Sequence, residues 1–489
     1  MEHNDRAGQF PKNKDVTRRN LLRAGGVLGA AGALGAIGAS ARASGRREDW
    51  LYPGDPGYAE AVAGFNTTVT RRPEAVVCAR DSRDVQQAVR YAGRHDLPVC
   101  VMATGHQASV SFEGGILVST ATMDRVRVDR RSASVRVGPG ARWGAIARAA
   151  APHGLAGLAG SSASVGAVGY TLGGGLSPTF GRLHGYAADH VSQLEIVTAD
   201  GELRVCTPEH EEDLFWAARG GKGNFGIVTS LHLGLFDIRT LYAGAIMYPA
   251  EAAGEVLPAW RDWAADAPES VTTSAAFVQL PPDAPESVRG QLVVSVRVSF
   301  VGDAAEGARL VAPLRAAGPV LEDTVARIPV TDWESIHNDP EGPIPAYDRT
   351  SLLGELPDEA IEQMIDLAGA GSDSPMTLVE VRQLGGALER EPEVPSSVGH
   401  RDPAFTFFTI GLAPPEQVED VRSYGAHLIE AMQPWSTGGA YVNFMSSDEA
   451  DPADVRRAYA PEVYERLVSV KSDVDSRNMF RLTHNIPPG

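Results

Sequence analysis

Between residues 156 and 189 the chain places nine glycines in 34 positions, mixed with serine and alanine. Glycine adopts left-handed backbone at no Cβ penalty and lets main chain come close to whatever lies opposite. The stretch is read as mostly loops and tight turns whose backbone approaches something closely. Its centre runs Gly160-Ser161-Ser162-Ala163-Ser164-Val165-Gly166-Ala167-Val168-Gly169-Tyr170-Thr171-Leu172-Gly173-Gly174-Gly175. No Gly-Lys-Ser/Thr follows, so it is not a Walker A loop. A Rossmann fingerprint would need a strand–GxGxxG–helix context and a ribose-binding acid, and neither is present. Runs of exposed amides between small side chains still suit a pyrophosphate. A tightly turned surface loop is the alternative.

Two further segments have this character. Thr104-Gly105-His106-Gln107-Ala108-Ser109 follows the apolar run Leu97–Met102 directly, with a glycine before the histidine and small residues after it. A lone histidine is weak testimony for chemistry. Arg219-Gly220-Gly221-Lys222-Gly223-Asn224-Phe225-Gly226-Ile227-Val228 is another close-approach loop that leads into a strand.

Around these loops, Ala75–Ala79, Leu97–Met102 and Gly115–Ser119 read as strands. Ser82–His95 has helical spacing with Asp81-Ser82 as its N-cap, and Trp143–His153 reads as a helix closed by Gly154. Val126–Val137 alternates as strands with one buried face do. His190–Thr198, Leu203–Cys206 and Gly226–Leu235 read as strands, with Glu209–Ala218 helical. From about 240 to 440 the glycine signal fades. There Val293–Phe300, Met376–Leu384 and Phe405–Leu412 read as strands, Ala304–Ala316 and Pro415–Met432 as helices, and a last helix lies near Val455–Val470. Mixed short strands and helices make this an α+β chain. The expected units are 50–240, 241–440 and a terminal segment, 441–489.

The amino terminus reads as an address label. Thr17-Arg18-Arg19-Asn20-Leu21-Leu22-Arg23 is a twin arginine followed by two leucines, and an apolar run then ends in Ala41-Arg42-Ala43. This is the pattern of a Tat signal peptide over 1–43, with cleavage after Ala43 and export of a folded protein. The Gly/Ala richness of the run argues against a transmembrane anchor. The formal charge is −18, and removal of residues 1–43, with seven Lys/Arg and three Asp/Glu, leaves −22. So acidic a chain repels nucleic acid and anionic membrane surfaces. Cys78, Cys100 and Cys206 show neither C-x-x-C nor metal-ligand spacing, so no metal site and no disulfide framework are expected.

In this order and spacing the three loops resemble the PCMH-type FAD-binding domain of the vanillyl-alcohol-oxidase superfamily, and most closely the berberine-bridge-enzyme-like oxidases. Tyr441-Val442-Asn443-Phe444, Tyr464-Glu465-Arg466-Leu467, Asp475-Ser476-Arg477-Asn478-Met479-Phe480 and Asn485-Ile486-Pro487-Pro488 are similar to that family's carboxy-terminal signature. The resemblance implies a two-lobed FAD-binding domain plus an α+β substrate domain, whose antiparallel sheet is covered by helices. It implies FAD bound by Thr104, Gly105, His106, Gln107, Ala108 and Ser109. The glycine loop would contribute Gly160, Ser161, Ser162, Val165, Gly166, Gly169, Tyr170, Gly173, Gly174 and Gly175. Asn224, Gly226, Val228, Asn443 and Asn478 complete the expected set. His106 falls where the family bonds the flavin 8α-methyl carbon. Ser162 falls where many members add a cysteine thioether. Serine lacks a thiolate, so attachment is expected through His106 alone. Val165 falls where a small or valine side chain admits O₂ to the flavin, which implies an oxidase.

The family's usual base is the last tyrosine of Y-x-N-Y, and this chain has Phe444 there. The remaining candidates are Tyr441 and residues on the strand Glu380-Val381-Arg382-Gln383, here Glu380 and Gln383. Strand alternation puts Glu380 and Arg382 on one face and Val381 and Gln383 on the other. The alternative is that Glu380 and Arg382 pair with each other or face solvent. Gly399-His400-Arg401-Asp402 resembles a structural turn of the family. The expected function is a secreted FAD-dependent oxidase that passes electrons from an alcohol, amine or hydroquinone, such as a secondary metabolite, to O₂. The alternatives are an antibiotic-sequestering binder that keeps the flavin fold and a quinone-linked dehydrogenase. Oligomeric state is not legible in the sequence.

Overall fold

The computed structural model describes residues 47, 49–106 and 109–489. The segment 1–43, expected to be an export signal, and two of the expected flavin contacts, Gln107 and Ala108, lie outside the described residues.

The first layer is a four-stranded sheet in the order Trp50–Leu51, Ala75–Cys78, Ile116–Ser119, Val99–Met102. Its three longer strands run parallel, and Val76, Leu117 and Val118 are fully buried, as a sheet covered on both faces requires. The helix Ser82–His95 begins where sequence placed it, and the Asp81 carboxylate accepts from the amides of Arg83 and Asp84. Val85, Ala88, Val89 and Ala92 form its buried stripe.

A five-stranded antiparallel sheet follows, in the order Leu203–Cys206, Val191–Val197, Ile227–Gly234, Ser134–Val137, Val126–Asp129. The alternating stretch Val126–Val137 is a hairpin of two strands, with Ala133 at φ 45° in its turn. The helix from Trp143 gives way after Ala150 to a 3₁₀ turn, and Gly154 at φ 74° closes it. The glycine-rich stretch is more ordered than loops alone. It contains the helix Ala167–Leu172 and a helical turn Gly181–His184. Ala167, Val168, Thr171 and Leu172 are buried on one side of the former, an i, i+1, i+4, i+5 face that the surrounding glycines obscure.

The second half of the chain forms one antiparallel sheet. Its order is Glu322–Asp323, Thr240–Pro249, Leu292–Phe300, Val271–Gln279, Leu378–Gln383, Phe405–Leu412, Ala346–Leu353, with Ala326–Pro329 also paired to Thr240–Pro249. Four helices, Ala253–Asp266, Ala304–Arg315, Asp358–Ala368 and Val418–Ala431, pack on one face. The core between them holds Trp260, Val256, Ile361 and Leu428 against Phe277, Val296, Val381 and Phe407. Three long strands (Thr240–Pro249, Val271–Gln279, Ala346–Leu353), the short strands Glu322–Asp323 and Ala326–Pro329, and two helices (Ala253–Asp266, Asp358–Ala368) have no counterpart in the sequence reading. The long strands are buried on both faces, which removes the polar alternation that marks a half-exposed strand.

The terminal segment returns to the first half. Lys471 and Asp475, both fully buried, pair at 2.7 Å, and Lys471 Nζ also donates to the Asn224 carbonyl at 2.7 Å. Asp475 accepts from the amides of Met479 and Phe480, and Val99 donates its amide to Met479 O at 2.9 Å. A buried pair satisfied on every side in this way fixes the segment in place. Cys78, Cys100 and Cys206 are unpaired. Among the described residues no helix is long and apolar enough to cross a membrane, and no cluster of His, Cys, Asp or Glu is arranged to hold a metal ion.

Candidate active site

The histidine turn is held by close packing. Gly105 has φ +66°, and a Cβ there would stand 2.7 Å from Gly64 Cα, so only glycine fits. The His106 ring lies 4.2 Å from the Phe65 ring, centroid to centroid. Burial lowers the His106 pKa from its ordinary value, aided by Arg142 and opposed by Asp339. The imidazole is therefore neutral near pH 7, with a nitrogen lone pair available as a nucleophile. The buried Ser109 bonds Met445 O through its hydroxyl at 3.4 Å.

The glycine loop packs directly on this turn. A Cβ on Gly166 would lie 3.1 Å from Thr104 Oγ1. Ser162 is buried and its hydroxyl pairs with that of Ser164 at 2.8 Å. Ser161 and Val165 are half-buried beside it, and Val165 O accepts from Trp143 N at 3.0 Å. A Cβ on Gly160 would meet the Tyr170 ring at 3.2 Å, and one on Gly175 would meet it at 2.8 Å. Gly173 and Gly174 carry the terminal segment: a Cβ on Gly173 would overlap Asn443 Oδ1, and one on Gly174 would lie 2.9 Å from the Tyr441 hydroxyl. Asn443 Nδ2 donates to Tyr170 O at 2.8 Å, and Tyr441 Oη accepts from Leu176 N at 2.9 Å.

Other expected flavin contacts serve the protein itself. Asn224 is buried, with Nδ2 donating to Gly221 O and His484 O and Oδ1 accepting from Ile486 N. Gly226 at φ +149° allows the backbone to approach Val197 O, where a Cβ would stand 2.5 Å away. Val228 lies in the hydrophobic core. Asn478, at φ 52° in the terminal turn, keeps a buried Oδ1 with no partner among the described residues.

The opposing wall comes from the large sheet. Register pairs Ser274 with both Arg382 and Arg297, and Ala276 with Glu380, so these residues share the face that the helices do not cover. All are buried. Glu380 Oε1 accepts from Arg297 Nη1 at 2.9 Å and Oε2 from Arg382 Nη2 at 2.9 Å. Burial would raise the Glu380 carboxyl, but Arg382, Arg297 and His337 outweigh it and hold it at about 2. Gln383 points the other way, with Nε2 donating to Ala264 O in the helix layer. The sheet thus separates Glu380 from Gln383, and only Glu380 joins the wall.

Residues that sequence reasoning did not single out complete the cluster. His337 caps the 3₁₀ turn Val330–Ile336 at its carboxy-terminal end. Burial, then Arg297 and Arg382, push its pKa well below the usual value, with Glu380 opposing. Neither of its ring nitrogens has a partner among the described residues. The same turn is bolted to the glycine loop: Glu334 Oε1 accepts from Ala163 N at 2.7 Å and Trp333 Nε1 donates to Gly160 O at 2.8 Å. From the glycine loop the Tyr170 hydroxyl, buried and unpartnered among the described residues, lies within electrostatic reach of Tyr441 and Arg382. Lys222, at φ 54°, donates to Val442 O at 3.3 Å, and burial pushes it down to about 8 despite Asp348. A tryptophan and a histidine four residues apart in a polar stretch carry no spacing signal, which is why Trp333 and His337 escape notice in the sequence.

Tyr441 is buried, and burial together with Tyr186 raises its pKa, so it stands as a neutral phenol. Its ring lies 5.2 Å from that of Phe444, which itself meets Phe408 on the sheet at 5.1 Å. Arg401, in the His400 turn, forms a 2.6 Å ion pair with Asp189, and both are buried. That pairing ties the turn to the first half of the chain and away from the cluster.

These residues fit a flavin. His106 offers a neutral nitrogen in a glycine turn. At Gly169, exposed on the helix Ala167–Leu172, an added Cβ would meet nothing within 4 Å, which leaves bare backbone surface. Tyr170 holds a buried hydroxyl in reserve on the same helix.

A family model described as an FAD binding domain matches residues 73–207, and one described as berberine and berberine like matches residues 440–487. The (R)-6-hydroxynicotine oxidase of Paenarthrobacter nicotinovorans is 28% identical over 473 residues, covering 90% of this chain and 96% of that protein. An FAD-linked oxidoreductase of Bacillus subtilis is 28% identical over 452 residues, covering 89% and 95%. The solved 6-hydroxy-D-nicotine oxidase of Arthrobacter nicotinovorans superposes with a TM-score of 0.77 at 26% identity, covering 90% of this chain and 98% of that one. A chitooligosaccharide oxidase shares the fold with a TM-score of 0.78 at 20% identity, covering 90% and 97%. The chain is an FAD-dependent oxidoreductase that joins an FAD binding domain to a berberine-like carboxy-terminal segment, with the PCMH-type fold.

Proposed function

We propose that the protein is a secreted oxidase that carries FAD on His106 through a single covalent bond and oxidises a small alcohol, amine or hydroquinone. The observation that carries this reading is the apposition of two surfaces: the glycine loop with its histidine turn, and a buried charged wall that stable folding alone does not require. FAD, when bound, would supply a two-electron acceptor for the substrate, with O₂ as the final acceptor and H₂O₂ as the product. The chain's own part is to position and to exclude water. Tyr441 and Asn443 brace the glycine loop from the terminal segment. Phe444 and Phe408 close one side with apolar surface. Glu380, ionised and clamped between two arginines, is a poor proton acceptor at neutral pH. The neutral His337 imidazole and Arg382 Nε on this wall, and the Tyr170 hydroxyl facing them from the glycine loop, keep unfilled hydrogen-bonding capacity among the described residues. Val165, in the glycine loop, is the side chain we assign to O₂ access. The twin-arginine segment at Arg18-Arg19 accounts for export of the folded, cofactor-loaded protein.

Acid precipitation followed by peptide mass spectrometry tests the attachment. FAD is expected on the His106 peptide and absent from the Ser162 peptide, and free release of FAD would overturn the covalent assignment. Anaerobic addition of alcohols, amines and hydroquinones tests the activity. Bleaching of the flavin by at least one compound, with fast recovery in air, is the expected result. Slow recovery would favour a quinone-linked dehydrogenase, and no bleaching across the panel would favour a binding protein.

A further inference from the structure

The charged wall is unbalanced. Arg297 and Arg382 contribute two positive charges, Glu380 returns one negative charge, and His337 is neutral, so the cluster carries one net positive charge in a buried place. Further along the sheet Asp348 lies close enough to Lys222, from the loop after Gly220, for the two to influence each other, and that couple adds no net charge. Burying an uncompensated cation is costly, and native proteins answer the cost with a counter-charge or a ligand.

Hydrogen bonding points the same way. Arg382 Nε, both ring nitrogens of His337 and the Tyr170 hydroxyl are buried without partners among the described residues. Arg382 Nε is only a donor, the hydroxyl of Tyr170 is a ready donor, and a neutral imidazole provides one donor nitrogen. Three donors around one excess positive charge match an oxygen-bearing anion. Arg382 still has its Nη2 on Glu380 at 2.9 Å, so the free Nε edge can meet a second group without breaking the ion pair.

We infer that the substrate carries an anionic group, a carboxylate or an acidic phenol, which docks between Arg382 and His337 of the wall and Tyr170 of the glycine loop. The inference rests on reading this wall as substrate-facing, and it names the substrate class for that site. The anion completes the charge balance of the cluster, and its oxygens take the three free donors.

The test uses the FAD-loaded protein and binding rather than turnover. Benzoate and its neutral isostere benzamide are titrated by calorimetry, with the flavin absorption spectrum recorded in parallel to place the ligand at the site. Benzoate is expected to bind at least about tenfold more tightly than benzamide, the effect of one charge-assisted hydrogen bond. Arg382→Gln and His337→Gln should each reduce benzoate affinity by about tenfold and leave benzamide binding little changed. Glu380→Gln should tighten benzoate binding, because it leaves both arginines unopposed. A purely structural cluster would weaken binding in all three variants, so opposite signs for Glu380→Gln and Arg382→Gln separate the two roles. Equal affinity for benzoate and benzamide overturns the inference, as does weaker benzoate binding by Glu380→Gln. Failure of the flavin to bleach with any reductant would leave the benzoate result standing, so this test and the test of oxidase activity fail separately.

Discussion

The strand Val271–Gln279 presents Thr273, Ala275 and Phe277 to the helix layer, and Thr272, Ser274 and Ala276 to the side of the glycine loop. Its neighbours repeat the division. Val294, Val296, Val298, Val379, Val381 and Phe407 meet the helices, while Ser299, Arg297, Glu380, Arg382 and Thr406 lie on the other side. Both faces are buried. One is apolar and the other is built of hydroxyls and charges. Apolar burial stabilises the sheet, whereas polar burial costs free energy wherever a donor or acceptor goes unmet. The helix side is not free of such atoms, since Gln383 Oε1 and Thr409 Oγ1 also lack partners among the described residues. Those are isolated uncharged oxygens. The unmet groups across the sheet gather around an excess charge, and concentration of cost in one place is the mark of a site selected for binding.

The contrast is broken most strongly from the apolar side. Phe407 is fully buried among the helices, so Phe407→Ala should reduce unfolding free energy by about 3 to 5 kcal/mol. Flavin content and benzoate affinity should stay near those of the parent in whatever protein remains folded. Denaturant unfolding of the FAD-loaded protein measures the first, and calorimetry the second. Selective loss of benzoate binding at unchanged stability would mean the two faces are not separate in role.

Acid probes the polar side. The Glu380 carboxyl lies at about 2 in the folded protein against 4.5 for the free side chain. Between those values the unfolded chain binds a proton that the folded chain refuses. The contribution is fully present above about pH 4.5 and is lost as pH falls toward 2, a difference of about 3 kcal/mol in the parent protein. Glu380→Gln has no such proton, so its stability should fall less steeply across this window. Identical slopes for parent and variant would show that the carboxylate is not held by its two arginines.

Legibility in the sequence followed the same division. Close approach of backbone leaves glycines, and glycines are visible, so the loops around His106, Gly166 and Gly220 stood out from composition and order. The helix Ser82–His95 was plain because one face is wet and the other dry, a contrast that its Val85, Ala88, Val89 and Ala92 stripe records. The strand Leu378–Gln383 was placed correctly, and its alternation separated Glu380 and Arg382 from Gln383. What alternation could not supply was the partner across the sheet. Arg297 is 83 residues away from Glu380 in the chain, and its pairing depends on a register that single strands do not encode. His337 was hidden for a related reason: a turn of irregular backbone brings it to the cluster, and no period marks it.

Two adjacent threonines make the finest test of the comparison. Thr273 faces the helices, where its Oγ1 accepts from Trp260 Nε1 at 2.9 Å and donates to Arg297 O at 2.7 Å. Thr272 faces the other way, and its buried Oγ1 has no partner among the described residues. Valine matches threonine in shape and removes only the hydroxyl. At position 273 the change strands the indole N–H of a fully buried tryptophan, and Thr273→Val should destabilise by about 1 to 2 kcal/mol. At position 272 it removes a group whose desolvation is uncompensated, so Thr272→Val should stabilise by up to about 1 kcal/mol. The same substitution one residue apart is thus expected to carry opposite signs, measured as paired denaturation midpoints at equal slope. Equal destabilisation at both positions would mean that the Thr272 hydroxyl is satisfied in solution. The polar face would then be an ordinary hydrogen-bonded layer, and its unmet groups would reduce to the charged cluster around Arg382.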